Sequence, residues 1–461
     1  MTAASIVPVN KTSHIAIASF IGTAIEFYDF YVYAIAAALV IGPVFFPSAS
    51  PTAQTLNAFA TFGIAFVARP VGSFLFGHFG DRFGRKSTLV ATLLMRKRRA
   101  APSFLIPLGG RAGRSPALGA LTMGVCTTLI GLLPGYDRIG ELAPWLLVIL
   151  RIGQGLGLGG EWGGAALLAT ENAPKHRRGL FGMFPQLGPS IGFLVANGLF
   201  LLLGLLLSHE QFMAWGWRIP FLLSAVLVLI GLYARLKLTE TPLFKAAENK
   251  PARVPLTELL SGHLKPLILG SLAIVVCYAL FYISAVFVLS YGISALHLPK
   301  PTLQAWLMLA IVCMAVATVL SAWASDALGR RAVLVASAGA AVLWGFALAP
   351  LLGSATTTGV GIFLCGALFL MGMTYAPLGA MLPEIFPTSV RYTGSGAAYN
   401  LGGILGASLA PYVAQVLVAH GGLSWVGVYI SVAAVISLLA VLGLGETRRR
   451  DLGQTESVSI S

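Results

Sequence analysis

Five ionisable side chains stand inside long apolar runs: Glu26, Asp29, Arg69, Arg151 and Glu161. A charge in hydrocarbon is expensive, so such residues face a partner or an internal path and not lipid. Glu26 and Asp29 lie three apart, on one helical face. Two carboxylates that close do not both ionise cheaply in a low-dielectric site, and one of them holds a proton. That is the requirement for a proton carrier, with Asp29 the first candidate and Glu26 and Glu161 beside it. Arg151, Gln154 and Glu161 fall on one face of a second helix, where a planar guanidinium can take a carboxylate bidentately. Arg69 and Gln154 join Arg151 as binding candidates.

Polar aromatics supply the second half of the chain: Tyr278 and Tyr282 in one run, Tyr375 in another, and Tyr399 beside Asn400. Such rings can cover the apolar body of a small molecule and offer it a hydrogen bond, and Tyr282, Tyr399 and Asn400 are read as binding contacts. There is no HExxH, no P-loop lysine motif and no GxSxG in a suitable context, so neither an enzyme nor ATP drive is expected. No cofactor or metal is expected either. The four cysteines, Cys126, Cys277, Cys313 and Cys365, lie in apolar runs without CxxC spacing and read as buried thiols.

These residues must be positioned by membrane helices. With 57% hydrophobic and 10% charged residues over 461 positions, the chain carries more apolar surface than a soluble core could bury. A helix crosses the hydrocarbon in roughly 20 residues. The sequence predicts an all-α fold with spans at 16–41, 56–79, 117–134, 144–169, 179–207 and 219–236, then 265–291, 303–323, 332–352, 359–382, 393–418 and 424–444. Two six-helix bundles, 16–236 and 265–444, are separated by a polar linker at 237–264 and flanked by segments 1–15 and 445–461. The net charge of +14 sits in short segments between apolar runs. That pattern reflects topology and not nucleic acid, and it puts both termini and the linker in the cytoplasm.

The halves echo each other. Gly80-Asp81-Arg82-Phe83-Gly84-Arg85-Lys86 follows the second span, and Ser325-Asp326-Ala327-Leu328-Gly329-Arg330-Arg331 follows the eighth. In each, a glycine permits the turn, an aspartate can pair with an arginine or a helix N-terminus, and basic residues stay outside the membrane. Gly80, Asp81, Arg82, Gly84, Arg85 and Lys86, with Asp326, Gly329, Arg330 and Arg331, are assigned to gating, latching two helices in one state and releasing them in another.

On these loops the chain resembles the major facilitator superfamily. More narrowly it is similar to the metabolite:proton symporter family, through Glu26–Tyr31, Phe66–Pro70, Gly159–Ala165, Gly216–Phe221 and Leu382–Thr388. The resemblance implies two bundles with a central site that opens alternately to each side. It implies symport of a small organic acid or zwitterion with protons, in a multi-pass inner-membrane protein whose other contacts are lipid. Members carry shikimate, proline or betaine, 2-oxoglutarate or citrate. A monomer is expected. A uniporter or a proton-coupled exporter of another small molecule would use the same frame.

One stretch departs from the family. Residues 95–121 look additional and interrupt the third span, bringing Arg96, Lys97, Arg98, Arg99, Arg111 and Arg114 and no acid. A basic loop of this kind could touch anionic lipid, or the insertion could impair transport. The span itself is then expected to begin near Ala117.

Overall fold

The computed structural model describes residues 12–82, 114–159, 161–171, 173–236 and 255–450. Every regular element among them is helical, as it must be where backbone N–H and C=O groups have no water to bond. The first half comprises α1 (Thr12–Leu39), α2 (Pro51–Arg82), α3 (Arg114–Leu132), α4 (Leu142–Glu171), α5 (Arg178–Leu206) and α6 (Ile219–Leu236). The second comprises α7 (Leu264–Ser294), α8 (Lys300–Leu328), α9 (Arg330–Gly345), α10 (Thr357–Glu384), α11 (Arg391–Gly403) and α12 (Ala410–Gly443). Most ends lie within a few residues of the predicted spans; the exceptions are α9, which stops at Gly345, and the last two, where α11 stops at Gly403 and α12 already begins at Ala410. The third helix starts at Arg114, so the last part of the 95–121 segment belongs to the span itself. Most of that segment, like Phe83, Gly84, Arg85 and Lys86, lies outside the described residues.

Three helices depart from a plain rod. The fourth is interrupted at Gly159 and resumes at Glu161. The seventh contains a π-helical stretch, Ile283–Val288, and the eleventh passes through another, Ile404–Ser408, into α12. Each π stretch adds a residue to the turn and frees local backbone pairing. Gly422, at φ 74°, breaks α12 between the end of the eleventh span and the twelfth.

Within the first bundle α1 packs on α5 and α6, α2 on α4, and α3 on α4 and α6. Within the second, α8 packs on α10 and α9 on α12, while α7 lies against α11 and α12. The bundles meet where α5 crosses α8 and α10, and where α2 meets the π stretch after α11.

Small residues set how close these helices come. Gly155 of α4 lies on the backbone of Ala65 in α2, and Gly157 lies on Gly119 and Met123 of α3. A side chain at either would enter a neighbour's main chain, which cannot move aside as a flexible side chain can. The glycine-rich fourth span is thus the seam that brings α2, α3 and α4 together. Gly155→Leu is expected to separate α4 from α2 and to cost about 1–3 kcal/mol or more, as overpacked cores do. Thermal unfolding of the purified protein in detergent reads this directly. An unchanged melting temperature would mean that the seam does not set helix spacing.

Candidate functional site: an arginine in an aromatic cage

Arg69 and Arg151 come from adjacent helices and are both fully enclosed, yet they are used differently. Each of the three side-chain nitrogens of Arg151 has a partner: Nε donates to the Thr61 carbonyl at 3.3 Å, Nη2 to the Phe62 carbonyl at 2.9 Å, and Nη1 to Gln154 Oε1 at 2.5 Å. Gln154 passes the chain on, its Nε2 donating to Thr127 Oγ1 at 2.6 Å. The guanidinium also lies 3.8 Å from the centre of the Tyr33 ring, whose hydroxyl meets Thr61 Oγ1 at 2.7 Å. Arg151 and Gln154, both expected to face a bound molecule, are here spent on tying α1, α2, α3 and α4 together.

No nitrogen of Arg69 has a hydrogen-bond partner, although the side chain is 1% exposed. Its guanidinium carbon lies 5.3 Å from the Phe66 ring, 5.4 Å from Tyr399 and 6.0 Å from Phe30. Tyr399 is near enough to interact electrostatically but without hydrogen-bond geometry. Ring faces stabilise a buried cation by about 2 kcal/mol or more when desolvated. They give its N–H groups nothing to bond, and an unpaired buried donor costs about 1–3 kcal/mol.

The cage is built from both bundles. Phe30, Phe66 and Trp162 come from the first; Tyr278, Tyr282, Tyr375 and Tyr399 come from the second. Trp162 stacks on Tyr399 with ring centres 3.8 Å apart, and the Tyr399 hydroxyl meets that of Tyr375 at 3.1 Å. Tyr278 lies 5.5 Å from Tyr399 and 6.2 Å from Phe66, and its hydroxyl, buried, has no partner. Tyr282 packs edge-on against Phe66 at 5.3 Å. Asn400 is committed elsewhere: its Nδ2 donates to the Gly159 carbonyl at 2.8 Å, at the interruption of α4, and its Oδ1 is unpaired. It bonds, from the other bundle, a buried backbone carbonyl where the first part of α4 ends.

Asp29 is 2% exposed, with Oδ1 unpaired. It faces Ser224 of α6, close enough to interact but without a completed hydrogen bond on the serine hydroxyl. The next two residues along α1, Phe30 and Tyr31, turn to the cage and its wall, Tyr31 packing 5.0 Å from Phe281 of α7. Glu26 is also buried. Glu161 begins the second part of α4, and its side chain lies outside the described residues, as do those of Gly80, Asp81 and Arg82 at the end of α2.

Contacts between the bundles lie on both sides of the cage. On the face that carries the α8–α9 turn, Asp326 accepts from the backbone N–H groups of Gly179 and Leu180, each at 2.9 Å, and so caps the start of α5. Arg330 holds the same carboxylate at 2.7 Å and Glu384 at 3.3 Å. Gly329, at φ 110°, makes the turn that allows this. Arg331 donates its N–H to Glu446, which also takes those of Arg330, Thr447 and Arg448. Burial works against the Glu446 anion, but these four N–H bonds outweigh it and hold the carboxyl below the usual glutamate range. The contact therefore persists near neutrality and is lost only as pH falls through that lowered value.

Thr447 donates to Glu384 at 2.6 Å, and Arg178 of the first bundle donates to the Arg450 carbonyl at 2.7 Å. Arg391 pairs with Glu171 across the bundles at 3.4 Å. On the opposite face Asn197 of α5 donates to the Gln304 carbonyl of α8 at 3.0 Å, and Lys300 sits 3.9 Å from the Phe212 ring.

Of the residues named from the sequence, the structure places Arg69 in the cage and Asp326 and Arg330 at the contact between the bundles. Sequence reading missed Gln186, which accepts from Trp162 Nε1 and donates to the Tyr375 carbonyl at 3.0 Å each, joining α4, α5 and α10. It also missed Asn197 and Gln304. The available signal was the same for all three: an amide within an apolar run.

Two helical bundles around an enclosed cationic site, touching at both faces, have the architecture of a membrane transporter. The family described as Major Facilitator Superfamily matches residues 100–404 and 295–459, and the family described as sugar (and other) transporter matches 14–96. The chain belongs to the major facilitator superfamily, and it is not an enzyme. It is 49% identical to the inner membrane metabolite transport protein YhjE of Escherichia coli K12, over 96% of this chain and 97% of that protein. It is 35% identical to the shikimate transporter of the same organism, covering 95% and 96%, and 30% identical to its proline/betaine transporter, covering 96% and 85%. Among solved structures, the proton:xylose symporter XylE bound to 6-bromo-6-deoxy-D-glucose superposes with a TM-score of 0.72 at 17% identity, covering 96% of this chain and 97% of that one.

The cap on α5 gives a direct test of the closure. In a background without the four natural cysteines, Thr170→Cys places a thiol where α4 meets α5, buried on the latched side. Asp326→Ala should raise its rate of modification by a soluble thiol reagent about tenfold, since a charge-assisted contact of about 1.5–3 kcal/mol is removed. Equal rates in the two backgrounds would dismiss Asp326 as a latch.

Proposed function

We propose that the protein is a proton-coupled symporter of a small carboxylate, with Arg69 as the group that takes the carboxylate. The observation that carries this reading is the buried guanidinium of Arg69, ringed by aromatics and without a hydrogen-bond partner. A carboxylate would supply two acceptors in the planar fork that this cation prefers. Relatives named for shikimate and for proline and betaine suggest substrates that share a carboxylate and little else. Tyr282 and Tyr399 line the same cage. Arg151, Gln154 and Asn400 support it from behind.

Asp29 is the proton carrier in this reading, with Glu26 and Glu161 as further carboxylates of the same bundle. An ionised carboxylate enclosed with one oxygen unpaired and no cation paired to it is costly, and a proton removes that cost. Asp29 lies one residue before Phe30, so a change in its charge and in its fit against α6 bears on the cage through α1. When substrate neutralises Arg69, the two bundles can turn about the loaded site. Release then follows on the other side.

The basic segments put the face bearing the Asp326 latch in the cytoplasm, together with both termini, in an inner membrane. The bundles correspond to residues 16–236 and 265–444, and the protein works as a monomer in contact with lipid. Gly80–Lys86 forms the counterpart of the Asp326–Arg331 latch.

Two substitutions test this in proteoliposomes. Asp29→Asn should abolish accumulation driven by an inward proton gradient while leaving counterflow exchange. Retention of the same pH-driven accumulation would remove Asp29 from the role and open it to Glu26 or Glu161. Arg69→Gln should lower uptake of carboxylates about 100-fold, in line with loss of a buried charge-assisted pair of about 3 kcal/mol. Preferred transport of neutral sugars by the natural protein, indifferent to Arg69, would overturn the carboxylate reading.

A further inference from the structure

The cage restricts the kind of carboxylate it can hold. Arg69 is one cation, and among the described residues the other arginine buried near it, Arg151, has every side-chain nitrogen engaged by protein acceptors. A second carboxylate on the substrate would therefore be buried without a cation, at a cost of several kcal/mol. The three ring faces nearest the carboxylate position are already turned to a cation: Phe30, Phe66 and Tyr399 all lie within 6.0 Å of the Arg69 guanidinium carbon. A quaternary ammonium or secondary amine brought to the same rings would meet like charge. What these rings still offer is edges and flat apolar area for an uncharged body.

Among the described tyrosines of the cage, one hydroxyl lacks a completed hydrogen bond although it lies near Tyr399. The Tyr278 hydroxyl is buried, has no partner, and belongs to a ring packed against both Tyr399 and Phe66. The neighbouring Tyr399 and Tyr375 hydroxyls bond each other. A buried hydroxyl without a partner is a cost that a substrate hydroxyl can relieve.

We propose that the site selects a singly charged carboxylate with an uncharged, hydroxyl-bearing body, Arg69 taking the carboxylate and Tyr278 reading the hydroxyl. This rests on the carboxylate reading of Arg69 given above. It separates the substrate from zwitterions and from di- and tricarboxylates, and it makes Tyr278 a specificity residue.

The test uses the full chain in proteoliposomes and competition of counterflow by five probes. These are shikimate, its dehydroxylated analogue cyclohexene-1-carboxylate, 2-oxoglutarate, citrate and glycine betaine. Shikimate should compete at least tenfold better than the other four. Tyr278→Phe should lower the shikimate affinity about tenfold more than that of cyclohexene-1-carboxylate, the loss expected when one buried hydrogen bond is removed. If the dicarboxylate, the tricarboxylate or the betaine competes best and depends on Arg69, the selectivity proposed here is wrong while the carboxylate reading stands. If the dehydroxylated acid equals shikimate, or Tyr278→Phe weakens both alike, Tyr278 does not read a hydroxyl. If none of the five competes and a neutral sugar does, the carboxylate reading itself fails. The wild-type panel decides the main point even where the Tyr278 variant is poorly expressed.

Discussion

A charge enclosed within a membrane bundle has to be answered from inside the protein, and the whole arrangement follows from where this chain answers its charges and where it does not. Arg151 is met by two backbone carbonyls, a glutamine and a tyrosine face, and becomes a joint between four helices. Arg69, on the neighbouring helix, is met only by ring faces. The residue types are identical and the depth similar. The difference is the company each keeps: every side-chain nitrogen of Arg151 is bonded, and those of Arg69 are not.

The cage around Arg69 depends on close helix approach. Gly155 and Gly157 draw α2 and α3 onto α4, which brings Arg69 and Trp162 to the bundle interface. The interruption of α4 at Gly159 leaves a carbonyl to be bonded, and Asn400 of the other bundle bonds it. The next residue back, Tyr399, thereby stacks on Trp162 and faces Arg69. A hydrogen bond from one bundle to a main-chain carbonyl of the other thus registers the two halves of the site against each other. The π stretches in α7 and after α11 lie beside the same residues and loosen the backbone pairing of these helices there.

The contacts that hold the bundles together at the two faces differ in kind. On the side of the α8–α9 turn they are ionic and helix-capping: Asp326 on α5, Arg330 between Asp326 and Glu384, Arg391 with Glu171. On the other they are an amide pair and a lysine over a ring. Polar contacts of about 1–3 kcal/mol suit such a device, because they hold a state without making it permanent.

The sequence by itself determined the membrane helices, their order and the two-bundle plan, because runs of apolar residues separated by basic turns leave the backbone one economical solution in lipid. It also determined which side chains carry charge inside the spans, and that the motif at Asp326 repeats the one at Asp81. Which arginine is free could not be read there. Arg69 and Arg151 look alike along the chain, and even helical spacing favoured Arg151, since Gln154 shares its face; that same neighbour turned out to occupy it. Tyr278, Gln186 and Asn400 likewise took their roles from partners more than 80 residues away, which local periodicity does not encode. Only the tertiary structure decided these, because whether a buried polar atom is satisfied is a property of every helix packed around it and not of the helix that bears it.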